Sequence, residues 1–278
     1  MKLAYLGPEN SFSYQAANAV KTNEELIAFP SIPLCMDALK RKLVDYVIIP
    51  IENSLEGSVH ASVDRLYEQN DYQVQAEIIL PIHQQLIGYN EKHIQKILSH
   101  PQALAQCQKF LETNYPDVQL EAVQSTTAAI EAVVQHPELK IAAIGSKQAA
   151  LAYQVPIIAE NIQDNAYNQT RFWILGAKDF TPAQLALLEK KLTLYVTLPS
   201  NLPGALHKVL SAFAWRDLNL SKIESRPQKT KLGEYFFIID LEYTKEAKRY
   251  QYAIEELQVL GCQVQQIGIY PIYQLNEQ

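Results

Sequence analysis

Short apolar runs alternate with amphipathic segments along the N-terminal half of the chain. The runs "KLAYL" (2–6), "LIAFP" (26–30) and "YVIIPI" (46–51) have the composition of buried strands. The segments "SFSYQAANAV" (11–20) and "IPLCMDALKRKL" (32–43) between them have the pattern of helices. Alternation of strands and helices is typical of a mostly parallel sheet. The sequence therefore predicts an α/β fold.

The alternation restarts after about residue 76, which indicates a second α/β lobe. The strand-like runs "VQLEAV" (118–123) and "KIAAIG" (140–145) flank the helix-like "STTAAIEAVVQ" (125–135). The chain is expected to cross between the lobes near 76–90 and again near 155–170. The predicted catalytic domain, 1–180, divides into lobe 1 at about 1–76 and 160–180 and lobe 2 at about 77–159.

The pattern changes near residue 180. Residues 178–191 are polar and have the pattern of a helical connector, and the linker itself is expected at 181–191. From 192 to 275 the apolar spacing predicts the order βαββαβ, which is typical of a ferredoxin-like domain. An exposed sheet edge in such a domain favours side-by-side pairing, so a homodimer or homotetramer is expected.

The composition disfavours several classes of function. The 278 residues carry a formal net charge of -6, whereas nucleic acids and anionic membranes bind basic surfaces. The three cysteines form no C-x-x-C pair, which suits a reducing compartment. No apolar stretch approaches the roughly 18–20 residues of a membrane span. A cytoplasmic protein without a nucleic-acid or membrane partner is expected, since the N-terminal apolar run is also too short for a signal peptide.

The sequence lacks the motifs of the common cofactors. The nine glycines form neither G-x-G-x-x-G nor a phosphate-binding Gly-Lys loop. The six histidines do not have the spacing of metal ligands, and there is no G-x-S-x-G elbow. We therefore expect no cofactor and no metal.

A polar cluster follows the third apolar run directly. Glu52, Asn53 and Ser54 come after this predicted strand and before the next helix. In open α/β sheets, ligands bind at the carboxyl ends of strands, where loops expose side chains and helix N-termini. The alternative is that Asn53 or Ser54 only caps the following helix.

Similar clusters follow strands in the second lobe. Ser99 and His100 end a strand, and Gln106 lies on the helix that comes next. His100 taken alone is more often a structural histidine than a catalyst. The polar run 125–127 also follows a strand, where helix capping and ligand binding are about equally good explanations.

A further polar run precedes the strand that returns between the lobes, in "DNAYNQTRFWIL" (164–175). Thr170 and Arg171 are expected at the start of this strand, facing the cleft. An arginine there can pair with a carboxylate through two parallel hydrogen bonds. The alternative is an arginine at an exposed strand edge.

Six motifs occur in one order along the chain. They are "GPENSFSYQAA", "PIENSLEGSV", "SHPQALAQC", "NQTRFWIL", "LPGALHKVL" and "NLSKIESRP". With these motifs, residues 1–275 resemble the prephenate dehydratases that carry a C-terminal ACT regulatory domain. One difference lies in the first motif, where Asn10 and Ser11 stand in place of the more usual Gly-Thr. Because a small hydroxyl residue is kept, a changed loop is expected rather than a loss of activity.

The resemblance implies a fold and a reaction. The expected fold is a catalytic domain of two periplasmic-binding-protein-like lobes, followed by the ferredoxin-like ACT domain. In the expected reaction, prephenate loses its ring hydroxyl and its ring carboxylate, the latter as CO2, and gives phenylpyruvate without a cofactor. This is a step of phenylalanine biosynthesis. An arogenate dehydratase and a two-lobed sensor without catalysis are the alternatives, and the polar clusters disfavour the sensor.

The resemblance also assigns roles to residues. The family's essential threonine falls on Thr170, whose hydroxyl is expected to donate a hydrogen bond to the leaving hydroxyl group. A threonine is a poor acid, so a partner must supply the proton or polarise the hydroxyl, and Glu52 is a candidate for this partner if burial raises the pKa of its carboxyl. The alternative is that Glu52 is only a structural acceptor for Thr170 and its neighbours. Arg171 and the helix starts near Ser11 and Ser54 are expected to hold the substrate's two carboxylates. The expected catalytic set is Thr170, Glu52, Asn53, Ser54, Ser99, Gln106, Arg171 and Phe172, and the expected substrate-binding set is Ser11, Phe12, Ser13 and Thr126.

The C-terminal motifs imply a regulatory site. In the family they form an amino-acid site between two ACT domains of a dimer, with phenylalanine as the ligand and feedback inhibition as the result. Gly204 after Pro203 leaves the backbone open at a helix start, where an α-carboxylate can bind, and Glu224 or a nearby carbonyl can take the ammonium group. The alternative is that this Pro-Gly is only a turn. The expected set is Leu202, Pro203, Gly204, Ala205, Leu206, Glu224, Ser225 and Arg226.

Overall fold

The computed structural model describes residues 1–69, 72–182, 185–199, 203–229 and 234–275. Its strands are β1 (Lys2–Leu6), β2 (Glu25–Phe29), β3 (Tyr46–Asn53), β4 (Gly57–Ser58), β5 (Val74–Pro81), β6 (Gln85–Ile87), β7 (Lys96–Ser99), β8 (Gln119–Ala122), β9 (Ile141–Gly145), β10 (Ile157–Ala159), β11 (Gln169–Gly176), β12 (Leu187–Thr197), β13 (Leu220–Pro227), β14 (Tyr235–Glu242) and β15 (Gln263–Gln274). Its helices are α1 (Phe12–Val20), α2 (Ile32–Lys40), α3 (His60–Glu68), α4 (Pro101–Gln106), α5 (Gln108–Asn114), α6 (Thr126–Gln135), α7 (Lys147–Tyr153), α8 (Ala205–Ala214) and α9 (Ala247–Val259).

The sheet of the first lobe contains β5, β11, β3, β1 and β2 in this order. β1 is parallel to β2 and β3, whereas β11 is antiparallel to both of its neighbours, β3 and β5. α1 packs on one face of the sheet, while α2 and α3 pack on the other. The buried residues of α1, Ser13, Ala16, Ala17 and Val20, recur at the spacing of a single helical face. The returning strand β11 therefore lies in the middle of the lobe, beside the end of β3.

The second lobe has its own sheet, with the order β10, β6, β9, β7 and β8. α4 and α5 cover one face of it, and α6 and α7 cover the other. The chain enters this lobe after Pro81 and leaves it after Ala159. Residues 77–81, which the sequence places in lobe 2, are part of β5 and belong to the sheet of the first lobe.

The C-terminal part has the element order β12, α8, β13, β14, α9, β15, which is the predicted βαββαβ order. Its helices pack on one face of the sheet. The opposite face packs on the first lobe, where the ring of Tyr67 in α3 stacks on that of Phe236 with centroids 3.8 Å apart. The predicted α/β fold with two lobes and a ferredoxin-like C-terminal domain is confirmed.

The connection between the first lobe and the C-terminal domain differs from the expected helix. Residues 187–191 are the start of β12, and their backbone groups pair with the far end of β15. β15 also runs parallel to β5, with Ile272 opposite Glu77, so one continuous sheet joins the two domains. Pairing with distant strands overrides the helical pattern of this polar segment. The local spacing of apolar residues does not indicate that pairing.

Two local features bear on the sequence analysis. Asn10 has a positive φ of 63° in the loop before α1. Glycine and asparagine adopt this region most readily, which explains how asparagine can stand where the family usually has glycine. In the described part of the chain, no helix has the length and apolar character needed to cross a membrane.

Candidate active site

A cavity of about 520 Å³ opens between the two lobes, where several strand ends and helix starts meet. The first lobe contributes the starts of α1 and β11, the end of β3 and the turn after it. The second lobe contributes the starts of α4 and α6. All four predicted substrate-binding residues line this cavity: Ser11, Phe12, Ser13 and Thr126.

Two helices of the cavity wall begin with serine caps. The side chain of Ser11 accepts a hydrogen bond from the backbone N–H of Tyr14, and Ser125 accepts one from Ala128. The other N–H groups of these first turns have no partner within the helix, and they carry its partial positive charge. The cavity is therefore suited to a ligand with negatively charged groups.

Asn53 and Thr170 meet on the cavity wall because β3 and β11 pair at these positions. The amide nitrogen of Asn53 lies 3.1 Å from Oγ1 of Thr170 and donates to it. Because Oγ1 of Thr170 accepts this hydrogen bond, the proton of its hydroxyl group can point into the cavity. Phe172, two residues along β11, lines the same side.

Gln106 lies on the opposite wall, and it contacts a residue that the sequence analysis did not single out. Its Oε1 accepts a hydrogen bond of 3.0 Å from the amide of Asn168. Asn168 is only 1% exposed and also accepts from Asn53 at 2.9 Å. The sequence shows Asn168 as one member of a polar run and as the first residue of the motif "NQTRFWIL", but it gives no sign of the contacts of this side chain, because its partners are distant along the chain.

Ser99 and Ser54 do not reach the cavity. The hydroxyl of Ser99 is fully buried and donates to the carbonyl of Ile144 at 2.7 Å, which joins β7 to β9. Ser54 donates to the carbonyl of Tyr167 at 3.0 Å and accepts from the N–H of Gln169 at 2.9 Å. Both serines therefore hold neighbouring segments together, and neither is placed to touch a ligand.

The helix start expected near Ser54 is not there. A turn and the short β4 follow Asn53, and α3 begins only at His60, after Val59 as its N-cap. No side chain caps this helix, which also excludes capping as the explanation of the Glu-Asn-Ser cluster.

Arg171 lies on the face of the sheet opposite the cavity, which corrects its expected place at the cleft. Neighbouring residues of a strand point to opposite faces, so Thr170 and Arg171 cannot share one. The Arg171 guanidinium forms two hydrogen bonds with Glu77, at 2.9 and 2.6 Å, and pairs with Asp240 of β14 at 2.8 Å. Although burial opposes the charge, these carboxylates raise the pKa of Arg171 further.

Glu52 also belongs to this opposite face. It pairs with Arg171 and, at 2.8 Å, with Lys222 of β13. Burial acts to raise the pKa of the Glu52 carboxyl, but the hydrogen bond from Lys222 and the charge of Arg171 outweigh burial and lower it. The prediction that Glu52 has a raised pKa and supplies the proton is therefore wrong.

The carboxyl group that does line the cavity belongs to Glu56, in the turn after β3. Glu56 is largely exposed, but its partial burial in the cavity raises the pKa of its carboxyl, against the charge of His100 and a hydrogen bond with Gln102 from the second lobe. His100 also lines the cavity, and its Nδ1 accepts from the N–H of Gln102 at 3.3 Å. Glu56 stands inside "ENSLEG", so position after a strand could have indicated it as readily as Glu52.

Charge is sparse in the cavity. Within the described ranges, Glu56 and His100 are the only ionisable side chains of the cavity wall, and neither arginine nor lysine lines it. In the same part of the chain, no group of three or more His, Cys, Asp or Glu side chains could hold a metal ion. Ligand binding there depends on hydroxyl, amide and backbone N–H groups.

The predicted effector residues fall on two faces of the C-terminal domain. Gly204 has a positive φ of 76° and is the N-cap of α8, before Ala205 and Leu206 and after the exposed Pro203. Leu202 lies outside the described residues.

The β13 part of this set alternates in direction. Ser225 is exposed, whereas Glu224 and Arg226 turn towards the first lobe. Glu224 accepts a hydrogen bond from Ser58, and Arg226 pairs with Asp64 at 3.0 Å. These two charged side chains therefore hold the domains together.

Known proteins match the whole chain. A family model described as prephenate dehydratase matches residues 3–180. A prephenate dehydratase of Lactococcus lactis subsp. cremoris is 47% identical over 279 residues and covers 100% of both chains. One of Bacillus subtilis is 44% identical and covers 99% of this chain and 100% of its own. The crystal structure of prephenate dehydratase from Arthrobacter aurescens in complex with L-Phe has a TM-score of 0.86 at 29% identity, covering 97% of this chain and 90% of that one. The chain belongs to the prephenate dehydratase family.

Proposed function

We propose that this chain catalyses the decarboxylating dehydration of prephenate to phenylpyruvate in phenylalanine biosynthesis. The observation that carries the proposal is the contact of Asn53 with Thr170 on the cavity wall, in which Oγ1 of Thr170 accepts from the Asn53 amide and its own proton stays available to a ligand in a cavity lined by helix N-termini. Family membership supports the same reaction. No cofactor is needed, because the reaction is driven by formation of an aromatic ring.

The chemistry consists of two coupled bond cleavages. The bond between the ring and its carboxylate breaks and releases CO2, and its electron pair moves into the ring. The C–O bond on the opposite side of the ring breaks, and the hydroxyl leaves as water after it takes up a proton. The barrier lies in the departure of this hydroxyl, so a hydrogen bond from Thr170 that strengthens in the transition state lowers it.

The proton comes from Glu56 in this proposal, instead of from Glu52. Glu56 lines the cavity, and burial raises the pKa of its carboxyl, which favours the protonated form that an acid catalyst needs. Glu52 lies on the other face of the sheet, where Lys222 and Arg171 keep it ionised. The lowered pKa of Glu52 disfavours the protonated form, which makes Glu52 the poorer donor of the two.

The substrate's two carboxylates are held without a cation. The backbone N–H groups at the starts of α1 and α6, near Ser11 and Thr126, provide donors and partial positive charge. Gln106 provides a further donor from the second lobe. Phe172 contacts the ring, while Arg171, Ser54 and Ser99 act only by supporting the surrounding backbone.

An assay of phenylpyruvate formation from prephenate tests the reaction directly. We expect turnover by the purified chain and a higher kcat/KM for prephenate than for arogenate, which carries an amino group in place of the keto group. A higher kcat/KM for arogenate would replace the substrate but not the reaction. Binding of either compound without turnover would favour the two-lobed sensor and overturn the proposal.

Regulation by phenylalanine is the second part of the proposal. A homodimer or homotetramer would place two C-terminal domains side by side, with phenylalanine bound between the α8 start of one and the exposed side of β13 in the other. The left-handed N-cap Gly204 leaves the first N–H groups of α8 open to a carboxylate. The Arthrobacter aurescens relative, whose structure contains L-Phe, supports this ligand.

Isothermal titration with phenylalanine and light scattering test this part. We expect binding, inhibition with a coupling of about 1–3 kcal/mol, and the mass of a dimer or tetramer. Absence of heat on titration, or a monomeric mass, would contradict it. A cytoplasmic location stays a prediction from the cysteine pattern.

A further inference from the structure

Three side-chain amides, two on the cavity wall and one behind it, form a hydrogen-bonded series that connects the two lobes of the protein. Asn53 of β3 donates from Nδ2 to Oδ1 of Asn168 at 2.9 Å. Asn168 in turn donates from its own Nδ2 to Oε1 of Gln106 in α4 at 3.0 Å. Asn168 does not line the cavity and is 1% exposed, so it contacts both walls without reaching a ligand.

A backbone group fixes the direction of this series. The N–H of Leu55 can only donate, and it donates to Oδ1 of Asn53 at 3.0 Å. The carbonyl oxygen of Asn53 is thereby placed, so its nitrogen must face Asn168. Asn168 must then offer its oxygen to Asn53 and its nitrogen to Gln106, which must accept. Each amide has one donor end and one acceptor end, and the choice made at Leu55 is therefore transmitted to Gln106.

The orientation of the amides determines which groups face the cavity at the two ends of the series. Oε1 of Gln106 is occupied by Asn168, and more distantly by Gln84 at 3.4 Å, which leaves the Nε2 protons of Gln106 for the cavity. For neither these protons nor the hydroxyl proton of Thr170 does the described part of the chain show a protein acceptor. Both groups therefore present donors to the cavity.

We infer that Asn168 is a positioning residue, which fixes the amide of Gln106 with its N–H₂ end towards the substrate. The inference rests on the proposed function, since a negatively charged substrate is what makes a donor at this place useful. The backbone carbonyl of Asn168, which accepts from the N–H of Ile82 at 2.8 Å, supports the crossing segment. A side-chain substitution leaves this bond intact, so the positioning role is separable from the fold.

The variant Asn168→Asp tests the inference, because aspartate has the same shape but no amide donor. As a carboxylate it still accepts from Asn53, but Gln106 must turn its N–H₂ group to it and its carbonyl to the cavity. We expect KM for prephenate to rise about 10- to 100-fold, the usual effect of losing a hydrogen bond to a charged group. kcat should change less, because the bond from Asn53 to Thr170 stays in place.

A pH series gives a readout that a structural role would not move. As the pH falls, the buried aspartic acid takes up a proton and its O–H can again donate to Gln106, so KM should return towards the wild-type value. Glu56 and His100 in the cavity, and His83 and Asp164 near the series, are ionisable groups that the variant and the wild type share. The comparison is therefore the variant-to-wild-type ratio of KM at each pH.

The matched control is Asn165→Asp, in the same crossing segment. Asn165 is exposed, and its Oδ1 only accepts from the N–H of Tyr167, which aspartate also does. We expect wild-type KM at every pH. A KM increase in Asn165→Asp equal to that in Asn168→Asp would assign the effect to charge in the segment and overturn the inference.

A second variant covers the case in which Asn168→Asp does not fold. In Gln106→Glu, one carboxylate oxygen accepts from Asn168 and the other faces the cavity, where it repels an anionic substrate. We expect the same rise in KM. Unchanged KM in a folded Asn168→Asp or Gln106→Glu protein, or a rise in Asn168→Asp that low pH does not reverse, would overturn the inference. An inactive wild type would instead overturn the proposed function, so the two failures are distinguishable.

Discussion

The two faces of the β3–β11 strand pair have different chemistry, although their residues are neighbours in the sequence. Asn53 and Thr170 face the cavity with an amide and a hydroxyl, whereas Glu52 and Arg171 face the C-terminal domain with charges. The register shifts between Arg171 and Phe172, which brings Phe172 opposite Pro50 with both on the cavity side. One strand pair thus serves a neutral ligand-binding wall and a charged domain contact.

The difference between the faces is one of adaptability. The charged face is buried and held by fixed partners. Glu77 is 0% exposed and accepts hydrogen bonds from the Arg171 guanidinium and the indole N–H of Trp173. Buried ions keep such an arrangement because an unpaired charge is costly there. On the neutral face, the hydroxyl proton of Thr170 has no acceptor among the described residues, which suits a site that must bind and release a substrate.

The largest expected effect is on the cavity face. Thr170→Ala removes the proposed donor to the leaving hydroxyl, and we expect kcat to fall about 10²–10³-fold, as when one transition-state hydrogen-bond donor is lost. The free energy of unfolding should fall by only about 1 kcal/mol, the usual value of one hydrogen bond. Steady-state kinetics and urea unfolding check both numbers.

Thr170→Ser is the control, because it keeps the hydroxyl and loses only a methyl group. We expect its kcat within about tenfold of the wild type. A folded Thr170→Ala protein with near-normal kcat would remove Thr170 from the mechanism. An equal loss in both variants would assign the effect to packing of the methyl group.

The opposite result is expected on the charged face. Arg171→Met leaves Glu77 and Asp240 without their main counter-charge, and we expect the free energy of unfolding to fall by about 3–5 kcal/mol. kcat of the protein that remains folded should change far less than in Thr170→Ala. A variant with normal stability but lost activity would show that Arg171 acts on the substrate after all.

The pH dependence of stability follows from the same contacts. Against the effect of burial, Arg171 and its neighbours lower the pKa of Glu52 and Glu77 from their ordinary value of 4.5. The stability that they contribute is present above pH 4.5 and is lost as the pH falls through the lowered values. In Arg171→Met the decrease in stability below pH 4.5 should be shallower, which unfolding at a series of acidic pH values measures.

The order of strands and helices could be predicted from apolar spacing, but the division of the site between two faces could not. Strand alternation alone implies that Thr170 and Arg171 point in opposite directions, yet not which of them meets the cleft. The answer depends on the packing of the C-terminal domain, which places Asp240 beside Arg171, 69 residues away. Asn168 was missed for the same reason, since its partners are 115 and 62 residues away.

A smaller effect is expected at Glu56, on the cavity face. Because the proposed acid acts when protonated, kcat should fall as the pH rises through the raised pKa of Glu56. Glu56→Gln cannot ionise, so we expect a kcat about 10²-fold lower where wild-type Glu56 is protonated, at the low end of the usual range for a general acid, and no decrease with rising pH that depends on this group. A pH profile of kcat from acid to alkaline conditions measures both.

Glu52→Gln makes the same chemical change on the other face and should keep the decrease of kcat with rising pH. His100 interacts with Glu56 and is the other ionisable group of the cavity wall in the described part of the chain, so His100→Asn is needed beside it. If the decrease persists in Glu56→Gln but disappears in His100→Asn, the proton comes from His100 and the assignment to Glu56 is wrong.

The smallest expected effect concerns communication between the two faces. Lys222 of β13 donates to Oγ of Ser58 at 2.7 Å, and Ser58 lines the cavity from β4. A shift of β13 on phenylalanine binding would therefore move the cavity wall. In Lys222→Met we expect phenylalanine to bind normally but its coupling to catalysis to weaken by about 1 kcal/mol. Titration and inhibition curves measure the two quantities, with Lys245→Met as an exposed lysine control in the same domain. Unchanged inhibition in Lys222→Met would mean that the charged face supports the fold without transmitting the effector signal.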